Sequence, residues 1–141
     1  MSEKPGLRVR DVMTPAIEII DGMLSISEAL ALMREKNLKC LLVQKRHPGD
    51  EYGLLLLSDI ARQVLAKDRA PQRVNVYEIM AKPLIAVRPD MDIRYCARLF
   101  DRFDLSRAPV IENDDLLGVV SLTDLVLRGL CVQEDPTREG R

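Results

Sequence analysis

The chain has 141 residues, 47% of them hydrophobic but only 4% aromatic and none of them Trp, so its core has to be built from aliphatic side chains. Basic and acidic residues nearly cancel, 21 against 22, and no Lys/Arg-rich run is visible, which argues against a nucleic-acid partner. The three scattered cysteines, Cys40, Cys96 and Cys131, and the single His47 supply neither a disulfide framework nor a zinc site, and reduced, buried thiols are expected.

In chain order, Met1-Ser2-Glu3-Lys4-Pro5-Gly6 is polar, with no signal peptide to read, and the longest apolar run, Leu54-Leu55-Leu56-Leu57, is too short to cross a bilayer. The expectation is a cytoplasmic protein with no membrane partner. After Asp11-Val12-Met13-Thr14-Pro15, the run Ile17-Glu18-Ile19-Ile20 reads as a strand. Ser25-Ile26-Ser27-Glu28 has the form of a capping box. Behind it Ile26, Ala29, Leu30 and Met33 recur at helical spacing. Two apolar strands follow, 40–43 and 52–57, joined through the Arg46-His47-Pro48-Gly49-Asp50 turn, where His47 is expected in solvent. A helix over 59–67 and a polar linker over 67–73 complete the first half.

The second half repeats this order. Glu78-Ile79-Met80-Ala81-Lys82-Pro83 answers the earlier Met-Thr-Pro segment, and Leu84-Ile85-Ala86-Val87 is the next expected strand. Asp92 then stands as the cap of a helix carrying Ile93, Cys96, Ala97 and Phe100. Strands over 108–111 and 116–121 flank a turn at Asp114-Asp115, and a helix is expected over 124–129. A shift of 67 carries Met13 to Met80, Ile26 to Ile93, Met33 to Phe100 and Val43 to Val110. From Gly53 to Gly118 the shift is 65, so the first copy has two extra residues, placed most simply in its His47–Asp50 turn. The fold class is α/β (α+β): two βαββα repeats, over 7–68 and 74–131, with a flexible polar tail over 132–141.

Chemistry is expected at the strand-to-helix junctions. Ser121, Thr123 and Asp124 sit at one and Ser58 and Asp59 at the other. A helix start suits a phosphate, and a carboxylate can accept both vicinal hydroxyls of a ribose. The same residue types are equally the ordinary caps of a helix, and spacing leaves both readings open.

Val12-Met13-Thr14-Pro15, the helix with Glu28-Ala29, Leu105-Ser106-Arg107-Ala108-Pro109-Val110 and above all Gly118-Val119-Val120-Ser121-Leu122-Thr123-Asp124 resemble the CBS domain, the module named after cystathionine β-synthase, over residues 7–130. The resemblance implies a tandem pair (a Bateman module) whose sheets pack with pseudo-twofold symmetry, leaving two clefts that bind adenine nucleotides. In one cleft Ser121, Thr123 and Asp124 would face Ile20, Lys39, Cys40 and Leu41. In the other Ser58 and Asp59 would face Ile85, Ala86, Arg107 and Ala108. Asp124 and Asp59 would hold riboses, Ser121 and Thr123 would assist, and Arg107 matches a phosphate-binding position of the family. The copies also differ: Leu56 stands where the second has Ser121, Cys40 where it has Arg107, and Leu42 where it has Pro109.

The function expected is therefore a non-catalytic regulatory sensor. Its candidate ligands are AMP above all, ADP and ATP, with NAD and S-adenosylmethionine as further candidates, and no cofactor is required. The resemblance also implies a homodimer, formed through a face to which Met33, Phe100, Leu127 and Leu130 could contribute unless they fill the chain's own core, and a regulated protein that the sequence does not name. A ligand-free homodimerisation scaffold is the alternative. An enzyme is disfavoured, because no phosphate-cradling loop, nucleophile–base pair or metal cluster is present in the sequence.

Overall fold

The computed structural model describes residues 6–16, 18–83 and 85–133. They form two compact units, one within Ile17–Leu84 and the other from the described parts of Met1–Ala16 and Ile85–Arg141. They are called here the Asp59 unit and the Asp124 unit.

In the Asp59 unit, β2 (Ile19–Ile20) runs parallel to β3 (Cys40–Val43), which pairs antiparallel with β4 (Gly53–Leu56). The crossover from β2 to β3 is α2 (Ile26–Glu35). Its start forms as the sequence dictates: Glu28 N–H donates to Ser25 Oγ at 3.0 Å and Ser25 N–H donates to Glu28 Oε1 at 2.9 Å. Its apolar stripe buries Ile26, Ala29 and Met33 against Leu41, Val43 and Leu55. The short helix α3 (Leu57–Ile60) follows β4 and continues as a π-helical turn, Ala61–Leu65, in which Ala66 N–H reaches back to the Ala61 carbonyl. A 3-10 turn, Pro71–Arg73, leads to α4 (Val76–Ile79), whose Val76 and Ile79 close the core.

The Asp124 unit is built alike from α1 (Val9–Val12), β1 (Thr14–Pro15), α5 (Ile93–Phe103), β5 (Arg107–Glu112), β6 (Asp115–Ser121) and α6 (Leu122–Gln133). Its strand order is β1-β6-β5, all antiparallel. Asp92 caps α5, accepting from Arg94 N–H at 2.7 Å. Ile93, Cys96 and Phe100 pack with Val9, Val12, Val110 and Val120. The β5–β6 turn is Asn113-Asp114, both with positive φ (52° and 69°), the two-residue hairpin that matches strand twist. Asn37 and Asp104, equivalent residues in the two copies, both take the left-handed conformation after α2 and α5 (φ 54° each).

Val43 faces Gly53 and Val110 faces Gly118, so the first hairpin encloses residues 44–52 and the second 111–117. The two-residue surplus therefore lies in the first hairpin. There Arg46 N–H and the Lys82 ammonium both reach the Asp50 carboxylate, which is held well below the usual carboxylate range, chiefly by Lys82.

The leading segments are exchanged between the copies. Thr14 and Pro15, from the first repeat, pair with Val119 and Gly118 of the second. Ala81, from the second repeat, bridges Leu54 of the first. The helix caps follow: Arg8 bridges Asp92 and Asn75 bridges Ser25.

Several element boundaries differ from the sequence reading. Of the strand expected over 17–20, Ile19–Ile20 forms and Ile17 lies outside the described residues. Over 85–87 no strand forms, and Val87 alone bridges Val110; Leu84 lies outside the described residues. Pro109 explains this. Val87 N–H bonds the Pro109 carbonyl and Ile111 N–H bonds the Val87 carbonyl, but the next rung back toward Ile85 needs an N–H that Pro109 lacks. The helices after β4 and β6 begin at Leu57 and Leu122, two residues before the expected starts, because each Asp occupies the third helical position. Of the expected tail, all beyond Gln133 lies outside the described residues.

Candidate strand-to-helix sites

Each junction is set by the hairpin before it. The N–H of the first helical residue, Leu122 or Leu57, bonds the carbonyl of Ser106 (3.0 Å) or Lys39 (3.4 Å), just ahead of the partner strand. This fixes where the motif side chains stand.

In the Asp124 unit, Asp124 N–H donates to Ser121 Oγ at 3.1 Å and Ser121 N–H donates to Asp124 Oδ2 at 3.3 Å. The capping reading is therefore realised in full. Ser121 is buried, at 7% exposure, Asp124 is half-buried and Thr123 faces solvent. Arg107 lies directly across the hairpin from Ser121, and Ala108, buried, across from Val120. Ile85 is half-buried and Ala86 exposed in the segment before Val87.

The other Oδ of Asp124 lies 3.8 Å from Arg128 Nε. Nη1 of that guanidinium donates to the Val12 and Met13 carbonyls at 3.2 and 3.1 Å. Those carbonyls end α1, where a helix is short of donors and its dipole favours a cation. Arg128 was not singled out from the sequence, although its place four residues after Asp124 is the spacing at which helical side chains meet.

In the Asp59 unit half of the cap is missing. Leu56 N–H donates to Asp59 Oδ2 at 3.2 Å, but Leu56 has no hydroxyl to return the bond. Asp59 Oδ1 is taken by Arg62 Nη2 at 2.9 Å. Ser58 is exposed, Cys40 stands across from Leu56, Leu41 from Leu55, and Ile20 is buried at the end of β2. Lys39 is exposed.

The remaining candidates resolve simply. His47 is exposed, its Nδ1 accepting from Gly49 N–H at 3.2 Å. No cysteine is in a disulfide among the described residues. Cys96 is buried, which pushes its thiol up to about 11, and Cys40 is half-buried. Cys131 corrects the expectation of buried thiols: it is exposed on α6, whose core-facing position here belongs to Leu125 and Gly129. Met33 and Phe100 belong to the cores rather than to an outer face, since the helical stripes of α2 and α5 that carry them pack on the sheets. Leu127 and Leu130 are exposed. Among the described residues no group of three metal-ligating side chains occurs, and no helix is long and apolar enough to cross a membrane.

The sequence and the doubled unit match known proteins. The CBS domain family model matches residues 9–66 and 76–129. The CBS domain-containing protein YhcV of Bacillus subtilis is 29% identical over 119 residues, spanning 84% of this chain and 83% of that protein. A hexameric CBS-CP12 protein from bloom-forming cyanobacteria has 38% identity and a TM-score of 0.82 over 90% of this chain and 73% of its own. The CBS domain pair of MJ0100, solved with 5′-methylthioadenosine and S-adenosyl-L-methionine, shares the fold at 22% identity, TM-score 0.74, over 93% of this chain and all of that one. The fold is thus that of paired regulatory domains, a class that is generally not catalytic. The chain belongs to the CBS-domain family, as a tandem pair.

Proposed function

We propose that the chain is a non-catalytic sensor that binds an adenine nucleotide, AMP-like in its ribose and single phosphate, and signals occupancy to a partner protein. The observation that carries the reading is the Asp124 carboxylate, fixed by Ser121 at the start of α6 with one oxygen directed to no hydrogen-bond donor within the cap. That oxygen suits a ribose diol, and the exposed Thr123 beside it suits a phosphate oxygen. Arg107, across from Ser121, and Ser58 with Asp59 at the second junction complete the proposed contacts. Among the described residues no dense Arg/His cluster stands at either junction, which favours a monophosphate over a triphosphate. The adenosyl ligands named with the MJ0100 pair support the chemical class.

The expected partner arrangement is a homodimer through α6, where Val126, Leu127 and Leu130 are half exposed, and the hexameric CBS-CP12 relative is in keeping with self-association. A thermal-shift panel of AMP, ADP, ATP, NAD and S-adenosylmethionine tests the sensing role, since a ligand at 100 times its Kd stabilises the native state by about 2.7 kcal/mol. AMP is expected to raise the midpoint, and Asp124→Ala to abolish the rise while keeping the fold. A flat panel at millimolar ligand overturns the nucleotide reading and leaves the ligand-free scaffold. Light scattering that returns a monomer removes the homodimer.

A further inference from the structure

The two junctions carry the same carboxylate and a nearby arginine, but the arginines are held differently. Arg62 is three residues beyond Asp59, 65% exposed, and closes on Oδ1 at 2.9 Å. Arg128 is four residues beyond Asp124 and comparably exposed at 50%, yet it stops at 3.8 Å, too far for a hydrogen bond. Exposure does not account for the difference. Anchoring does: Nη1 of Arg128 is engaged by both the Val12 and Met13 carbonyls, whereas Arg62 has no second partner among the described residues. The residue of the first copy that corresponds to Arg128 is Gln63, whose Oε1 accepts from Lys67 Nζ at 2.9 Å, so no such anchor exists in the Asp59 unit.

We infer that Arg128 is a positioning residue that makes Asp124, rather than Asp59, the primary ribose acceptor. The end of α1 restrains the guanidinium, so it keeps Asp124 beside a positive charge without occupying Oδ1. At Asp59 a ribose hydroxyl must first displace Arg62, and Leu56 stands where Ser121 supplies the capping hydroxyl of the other copy. An exposed ion pair of this kind stabilises by about 0.2–1 kcal/mol, so its displacement weakens binding about 1.4- to 5-fold before the loss of the serine is counted. The inference rests on the nucleotide reading above.

The test is calorimetric titration of the full chain with AMP. Asp124→Asn is expected to weaken the tighter site more than tenfold, and Asp59→Asn to leave that site within twofold. Arg62→Gln, at an exposed position, is expected to tighten the weaker site about two- to fivefold. Arg128→Gln is expected to weaken the tighter site several-fold and leave the weaker one unchanged, a split that general destabilisation does not produce. A tighter site that survives Asp124→Asn and is lost with Asp59→Asn overturns the inference alone, as does an Arg62→Gln variant that binds more weakly than wild type. No AMP binding by the wild type overturns the nucleotide reading together with it.

Discussion

Gly118 and Gly53 hold the same place in the two copies, but a methyl group would meet different neighbours. A Cβ on Gly118 falls 2.3 Å from the Thr14 carbonyl oxygen and 3.1 Å from Pro15 Cα, both backbone atoms of the strand paired with it. At Gly53 it falls 2.6 Å from Met80 Sδ, the movable end of a flexible side chain, and 3.2 Å from Val43 Cβ. The glycine that opens the Gly-x-x-Ser-x-x-Asp motif is thus required by the crossing strand rather than by its own backbone angles. Gly118→Ala is expected to cost about 2–3 kcal/mol and Gly53→Ala under about 1 kcal/mol. Urea midpoints compare them directly, and equal losses would contradict this account of the motif. The same scale decides what the sequence could reveal of the site. Ser121, Asp124 and Asp59 were legible as capping residues because short polar residues before an apolar helix have few other roles. The hold of Arg128 on the Val12 and Met13 carbonyls was not, since it joins residues more than a hundred positions apart and depends on where α1 lands.

Among the elements, α2 and α5 were the most readable, because cap and apolar stripe agreed in both. Their caps differ in chemistry. Ser25 caps α2 with a hydroxyl, whereas Asp92 caps α5 with a carboxylate that also takes Arg94 Nη2 at 2.8 Å. The Arg94 side chain and then its N–H hold Asp92 well below the usual carboxylate range. A carboxyl lowered on folding adds stability that is present above its unfolded value, about pH 4, and is lost as pH falls through the folded one. The stability difference between wild type and Asp92→Asn is therefore expected to shrink as pH drops below about 4, measured by urea unfolding across that range. A difference that stays constant with pH would show that the carboxylate charge is not what caps α5. The strand over 84–87 was misread for the complementary reason: its β-branched composition was right, but the decisive residue, Pro109, lies on the neighbouring strand.

The repeat itself was fully legible, while its division into packed units was not. Sequence similarity groups each leading segment with the repeat that follows it, since similarity is blind to pairing. Packing groups it with the other repeat: Val74, Val76 and Ile79 close the Asp59 core, and Val9 and Val12 the Asp124 core. A fragment of residues 17–84 is accordingly expected to unfold cooperatively. A fragment of 7–68 lacks those three core residues and the Ala81 partner of Leu54, and is expected to lack that transition. Circular dichroism on heating distinguishes them, and a cooperative 7–68 fragment would overturn the exchange as a determinant of folding.

The exchange also has a mechanical side. A pull applied to the chain at Leu7 is borne first by the Leu7–Ile93 hydrogen bond and the Arg8–Asp92 bridge, then by α1 and the two rungs of β1, all of them attached to the Asp124 unit. The Asp59 hairpin, although it belongs to the same sequence repeat as α1, carries none of that load through β1. Because the carbonyls that end α1 are the ones that hold Arg128, stretching this segment would slacken the guanidinium beside Asp124 before it disturbed any strand of the other sheet.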